Sequence, residues 1–451
     1  MGQPNSRFCD LRAGHTRWEG TQARLPLHGS PEALRVLLLS WSDLSGGAAR
    51  AAYRLHRALR DAGVRSRMIV VSRASDDPDV AGPESLLDRV AARAAARLDQ
   101  LPLVGYPSRK PTLFTPAVAP ERTTGRAQGE QRDVTHLHWV GNGALRVESL
   151  PRLPGPLVWT LHDLWPFTGG CHYADECTRF QTQCGRCPAL GSGRERDLSY
   201  RVWRRKRDSW EKADCAFVTP SRWMARQAAA SSLLSGRRIE VIPNCLDTRV
   251  FQPADPQTCR QALGLPHGKR ILMFGALTAE GDRRKGFHLL APALECLIRS
   301  VPADALHLAI IGMRQPSAPA PYPISASFLG VLESEQAMAQ AYCAADVFIA
   351  PSLQDNLPNT VMEALACGVP CVAFDVGGMS DLIDHQTSGY LAAPLDPADL
   401  ARGIAWVLDN ADRRARLSEQ ARAKVLRSFA PEVVAERHLA LYGNLPRCSA
   451  S

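Results

Sequence analysis

The chain lacks any long apolar run. Its longest aliphatic stretch is Val36 to Leu39, far short of the ~20 apolar residues a membrane-spanning helix needs. The first 30 residues carry no apolar core of the secretory kind, so a cytoplasmic location is expected. The composition of a disordered or fibrous chain is also absent: of 451 residues, 45% are hydrophobic and 22% charged, which describes a folded protein of two or three domains. No aromatic and basic residues interleave on a strand pattern, and the formal charge of +9 is spread over both halves. Nucleic acid is therefore not the expected partner; a phosphate-rich ligand or an anionic membrane remains. What the chain does have is 13 cysteines, which in a long chain without a signal mark reduced thiols or metal ligands rather than disulfides.

Residues 1–33 mix Arg, Gly, Pro and His without periodicity and read as a loose leader. A short buried-strand pattern at Arg35 to Ser40 is followed by Gly46-Gly47 and a helical pattern from about Ala48 to Ala62, with Gly63 just past its end. Ser66 to Val71 completes a strand, helix, strand unit. Further strands are expected at Val134 to His138, Leu157 to Leu161 and Cys215 to Thr219, with residues 100–133 as a long surface excursion. After Ile239 to Pro253 a second alternating set begins, with strands at Arg270 to Phe274, Leu306 to Ile311, Ser327 to Leu329, Asp346 to Ala350 and Cys371 to Phe374. Amphipathic helical sequence covers 398–428, and a last helix runs from about Pro431 to Tyr442. The fold class is α/β: a first domain over 34–245, a second over 246–430, and a closing helix and tail over 431–451 set to pack back on the first domain.

In open parallel sheets, ligands bind beyond the carboxyl ends of the strands. Three places there carry chemistry. Ser45-Gly46-Gly47 puts flexible backbone N–H groups at a helix start, where anions are favoured. Pro351 to Glu363 (PSLQDNLPNTVME) brings Asp355 and Glu363 to one strand end, with Asn359 as helix N-cap; an ionised carboxylate accepts two hydrogen bonds from a vicinal diol. Arg283-Arg284-Lys285-Gly286 offers cations to a diphosphate. From the first half, His162 stands at the end of the LVWTL strand.

With the segments SGGAARAAYRLHRAL, TLHDLWPF, IPNCLDTRVFQP, RRKGFHLL and PSLQDNLPNTVMEALACGVPCVAFDVGG, the chain resembles the retaining nucleotide-sugar glycosyltransferases of family 4, from about Arg35 to the C-terminus. The resemblance implies the GT-B architecture of two facing Rossmann-like domains with parallel sheets. It implies that Glu363 holds the ribose hydroxyls of a nucleoside diphosphate sugar and Asp355 its hexose, the latter position being more often Glu. Lys285 would lie on the diphosphate with Arg283 or Arg284, Gly46 and Gly47 at the phosphate loop, and His162 near the sugar's reacting face. Asn356, Leu357, Asn359 and Thr360 complete the implied donor site. Ala276 stands where the family usually has Arg, and Asn356-Leu357-Pro358 replaces a glycine-rich stretch. With the GGCHY and CGRCP segments these departures resemble a subgroup of exopolysaccharide and colanic-acid-type transferases. The acceptor implied is a glycan or a polyprenyl-diphosphate-linked glycan at the inner-membrane surface, and no cofactor is implied for catalysis. A GT-B hydrolase or epimerase of UDP-sugars is the runner-up, and a zinc-containing nucleic-acid-binding protein a more distant alternative.

Cys171, Cys177, Cys184 and Cys187 follow a C-x5-C-x6-C-x2-C spacing in a loop over 169–190. Four thiolates of this kind suit a structural zinc; the other reading is a set of reduced thiols. The basic run Arg201 to Arg207, with Trp203 and Trp210, suits either anionic headgroups or a solvated helix face.

Overall fold

The computed structural model describes residues 34–275, 282–314 and 322–446. The leader 1–33, Ala276 and the end of the tail lie outside the described residues.

Two parallel sheets organise the chain. The first has seven strands in the order β3-β2-β1-β4-β5-β6-β7, formed by β1 (Arg35–Ser42), β2 (Arg65–Ser72), β3 (Val80–Ala81), β4 (Val134–Leu137), β5 (Leu157–Thr160), β6 (Cys215–Thr219) and β7 (Ile239–Val241). The second has six in the order β10-β9-β8-β11-β12-β13, formed by β8 (Arg270–Gly275), β9 (Leu306–Ile311), β10 (Ser325–Gly330), β11 (Val347–Ala350), β12 (Cys371–Phe374) and β13 (Gly389–Ala392). In both, strand order reverses direction beside the first strand, between β1 and β4 and between β8 and β11. Such a switch point leaves a crevice at the strands' carboxyl ends. Strands β4, β5, β6, β11 and β12 are buried along their whole length, as expected where helices cover both faces of a parallel sheet.

Helix α1 (Gly47–Asp61) follows β1. It begins at Gly46, whose φ of 91° is a left-handed conformation open to glycine, and it turns Ala51, Ala52, Leu55, Ala58 and Leu59 onto the sheet. The Pro431–Gly443 helix packs on the same face: Val434, Leu441 and Tyr442 share a cluster with Val36, Leu38 and Leu55, and the Tyr442 hydroxyl meets His136 Nδ1 at 2.7 Å.

Three features depart from the sequence expectation. The 100–133 excursion is not wholly superficial: Leu103, Phe114, Thr115, Ala117 and Ala127 are buried, and the Arg205 guanidinium holds the Pro116 and Ala117 carbonyls at 3.1 and 2.9 Å. Secondly, helix α2 (Leu86–Gln100) was not expected, because its apolar residues face outward; a Ser85–Asp88 capping box starts it and buried Asp99 accepts from the Ala117, Val118 and Ala119 N–H groups. Thirdly, the Arg201 to Arg207 run offers no aromatic membrane face. Trp203 and Trp210 are buried in the first domain's core, Lys206 is fully buried, its ammonium bonded to the Trp165 and Thr168 carbonyls and lying over the Trp165 ring, and Arg205 pairs with Glu148.

Candidate active site

The strand ends of the two sheets border one cleft of about 1880 Å³. Gly46, Gly47 and His162 line it from the first domain; Arg283, Arg284, Lys285, Asp355, Asn356, Leu357, Asn359, Thr360 and Glu363 line it from the second. Residues read from separate segments therefore share one space.

The second-domain wall is built from two loops locked together. The turn at Arg283–Lys285 ends in Gly286, whose φ is 69° and whose Cβ, if it had one, would lie 1.6 Å from the Pro351 carbonyl oxygen. Only glycine permits that approach. The Leu353 N–H donates to the Arg284 carbonyl at 2.7 Å, and this clamp sets Lys285 Nζ 2.5 Å from Asp355 Oδ2. One cation and one carboxylate thus stand ready at the end of β11, each half-satisfied by the other.

Glu363 lies one turn into the Asn359–Ala366 helix and is almost fully buried. Its Oε1 accepts from Arg54 Nη2 at 2.7 Å and its Oε2 from the Tyr342 hydroxyl at 3.0 Å. Burial opposes the Arg54 charge, but Glu363 and Glu335 overcome this and raise its pKa. The N-cap of that helix is Pro358 rather than Asn359. Asn359 Nδ2 instead crosses the cleft to the Gly47 carbonyl at 3.1 Å.

Asn356 also has a different part from the one expected. Its amide donates to the Leu161 and His162 carbonyls, both at 3.1 Å, and its oxygen accepts from the Ser221 hydroxyl at 2.6 Å. The side chain is spent on joining the domains, so a ligand would meet the neighbouring backbone. Leu357 is a core residue at the cleft floor. Arg284 stacks on the Tyr173 ring, 3.3 Å from its centroid, and pairs with Asp282 at 2.5 Å; Arg283 stays exposed at the lip.

His162 Nε2 faces His138 Nδ1 at 3.0 Å. Burial pushes the His162 pKa down to about 4, against a raising effect of Asp163, so the ring is neutral at pH 7. Burial alone would raise the Asp163 pKa, but His172, the Trp165 N–H and the Trp139 indole hold it below the usual carboxylate range. Arg54, Tyr342, Tyr173 and His138 were not singled out from the sequence. Only Arg54 left a signal, lying two helical turns beyond Gly47 on α1.

All four clustered cysteines border a second, small cavity with Thr168 and Phe180. They are free thiols, and Cys184 Sγ accepts from the Gly169 N–H at 3.2 Å. Burial pushes the Cys184 thiol up to about 12. Among the described residues, no group of three or more His, Cys, Asp or Glu is arrayed to hold a metal ion, so the geometry lends the zinc reading no support.

The two-sheet architecture and its shared cleft are those of the GT-B glycosyltransferases. Residues 45–250 match the model of the family described as Glycosyltransferase Family 4, and residues 268–410 that of Glycosyl transferases group 1; the chain is a glycosyltransferase with one such domain in each half. It is 26% identical over 377 residues to a D-inositol 3-phosphate glycosyltransferase of Thermobispora bispora, covering 80% of this chain and 81% of the relative. It is 31% identical over 211 residues to one of Geodermatophilus obscurus, covering 44% and 46%. With the latter the chain thus shares less than half of the relative's length. Among solved structures, sucrose-phosphate synthase of Thermosynechococcus elongatus superposes with a TM-score of 0.64 at 18% identity, covering 91% of this chain and 98% of that one. The Anabaena Alr3699/HepE protein in complex with UDP and glucose gives 0.60 at 16%, covering 91% and 100%. At these identities the likeness is one of fold.

Proposed function

We propose that the protein is a retaining hexosyltransferase that moves a sugar from a nucleoside diphosphate to an acceptor hydroxyl in surface polysaccharide synthesis. One observation carries this reading: Lys285, Asp355 and Glu363 stand on one cleft wall, opposite Gly46, Gly47 and His162. In this reading Glu363 takes the ribose diol and Asp355 the hexose, while Lys285 and Arg283 neutralise the diphosphate at two helix starts. The departing phosphate takes the acceptor proton, so no protein nucleophile is used, and fixed cations make a catalytic metal unnecessary. Neutral His162 offers hydrogen bonds to the sugar without adding charge. Closure about Pro243-Asn244 excludes water and limits hydrolysis of the donor.

The donor is tested by thermal shift with UDP-, GDP- and ADP-sugars. A true donor at a hundred times its dissociation constant stabilises by about 2.7 kcal/mol; no stabilisation by any of the three would overturn the reading. The anomeric configuration of the product, read by NMR, tests retention.

A lipid-linked acceptor is favoured by α2 and the turn after it. Leu86, Leu87, Val90, Leu98, Leu101 and Val104 are all exposed there, Leu87 by 79%, and Arg89, Arg93 and Arg97 are exposed among them. Apolar and basic groups mixed on one helix suit an anionic bilayer surface. A few residues further on, Lys110 to Leu113 line the cleft. The protein should therefore sediment with vesicles containing anionic lipid and much less with purely zwitterionic ones. Replacing Leu87, Val90 and Leu98 together by Gln should abolish this, and binding unchanged by the triple substitution would refute the surface. The relatives named as D-inositol 3-phosphate glycosyltransferases suggest a second acceptor class, which assays with free D-inositol 3-phosphate distinguish.

A further inference from the structure

Arg54 is 5% exposed, sits mid-helix in α1, and spends its charge across the cleft rather than within its own domain. Nη2 donates to Glu363 Oε1 at 2.7 Å; Nε and Nη2 donate to Glu335 Oε1 at 2.9 and 2.7 Å. The guanidinium rests over the Phe251 ring, 5.3 Å from its centroid. Its Nη1 is buried with no hydrogen-bond partner among the described residues. Arg422, which braces the second domain, is used otherwise: its donors go to the Phe251, Ala366 and Thr248 main-chain carbonyls.

We infer that Arg54 is a positioning residue for donor binding, holding Glu363 so that the carboxylate can receive the vicinal hydroxyls of a nucleoside diphosphate's ribose. The inference rests on the reading of Glu363 given under the proposed function. The count of lone pairs supports it. Each carboxylate oxygen has about two acceptor sites. Arg54 takes one on Oε1 and Tyr342 one on Oε2, so each oxygen keeps one for a diol that offers two O–H donors side by side. Two fixed donors, one on each oxygen, also restrain the carboxylate's rotation, which would otherwise be lost on binding. Because Arg54 belongs to the first domain and Glu363 to the second, the diol acceptor is complete only when α1 lies against the Asn359–Ala366 helix. Nucleotide capture and domain closure then favour each other.

The test uses the full-length protein and whichever of UDP, GDP or ADP stabilises it in the donor screen, measured beside the 2′-deoxy form of the same nucleotide. Wild type should prefer the ribonucleotide by about tenfold or more, the worth of a hydrogen bond to a charged group. Arg54→Met should reduce this preference to less than about threefold, and Arg54→Lys, which keeps the charge but loses the planar fork, should lie between. The donor KM should rise more than kcat falls. Glu335→Gln, which leaves the Arg54–Glu363 contact in place, should keep the preference. If Arg54→Met does not fold, the preference measured for Arg54→Lys decides between the two outcomes. Equal weakening of both nucleotides by these variants would reduce Arg54 to a structural role and overturn the inference alone. Absence of any preference in wild type would instead remove the reading of Glu363, and the inference with it.

Discussion

Replacing Lys285 by alanine is expected to lower the transfer rate by about 10²- to 10³-fold, the usual cost of removing one fixed donor from a site where charge develops. The fold should survive. Lys285 is 27% exposed at its side chain and, among the described residues, pairs with Asp355 alone, so losing the pair costs on the order of 1 kcal/mol. Asp355 keeps the Asn356 N–H at 3.1 Å when the lysine is gone. The loss should fall on kcat more than on donor KM, because the ammonium gains most from the leaving diphosphate as its charge grows. Steady-state kinetics with the donor found in the thermal screen, beside a melting curve of the variant, reads both effects. Lys285→Arg should recover part of the rate, since it restores the charge but not the reach of a point cation. A turnover within about threefold of wild type for the alanine variant would remove Lys285 from the chemistry.

The same loop shows how far sequence reading carries. Strands β9 and β12 end where their apolar runs end, because a strand buried on both faces is apolar along most of its length. The site was legible for a related reason: chemistry-bearing residues stand just past those runs. Helix α2 was hidden because its large apolar residues are exposed together with Arg89, Arg93 and Arg97, while a carboxylate, Asp99, is the buried one, so no apolar stripe marks a core face. The roles of Asn356 and Asn359 were hidden too. A polar side chain at a strand end looks the same whether it awaits a ligand or bridges to Leu161, His162, Ser221 or Gly47 on the other domain. Arg54 meets the same limit: its place two turns beyond Gly47 puts it on the helix that starts at the cleft, but an arginine beside Leu55 on an amphipathic helix reads as a solvated residue. Only the approach of Glu335 and Glu363, which lie 281 and 309 residues later, gives it a buried partner.

Glu363 combines both kinds of consequence, and its substitutions should separate them. Glu363→Ala removes one of the two carboxylates that balance Arg54 and strips the Tyr342 hydroxyl of its acceptor. Breaking a buried pair from one side costs about 3–5 kcal/mol, and Glu335, still 2.7 Å from Arg54, should keep the loss toward the lower end. A fall of several degrees in melting temperature is expected, together with nearly complete loss of transfer. Glu363→Gln keeps the shape and one acceptor oxygen. It should melt closer to wild type, yet bind the nucleoside diphosphate about tenfold or more weakly, since an amide offers the diol fewer and weaker acceptors than a carboxylate. Calorimetric titration of the nucleotide into each folded variant makes the comparison. If Glu363→Gln bound the nucleotide as tightly as wild type while Glu363→Ala merely unfolded, the carboxylate would serve Arg54 and the fold alone, and the diol would have to be held elsewhere in the cleft.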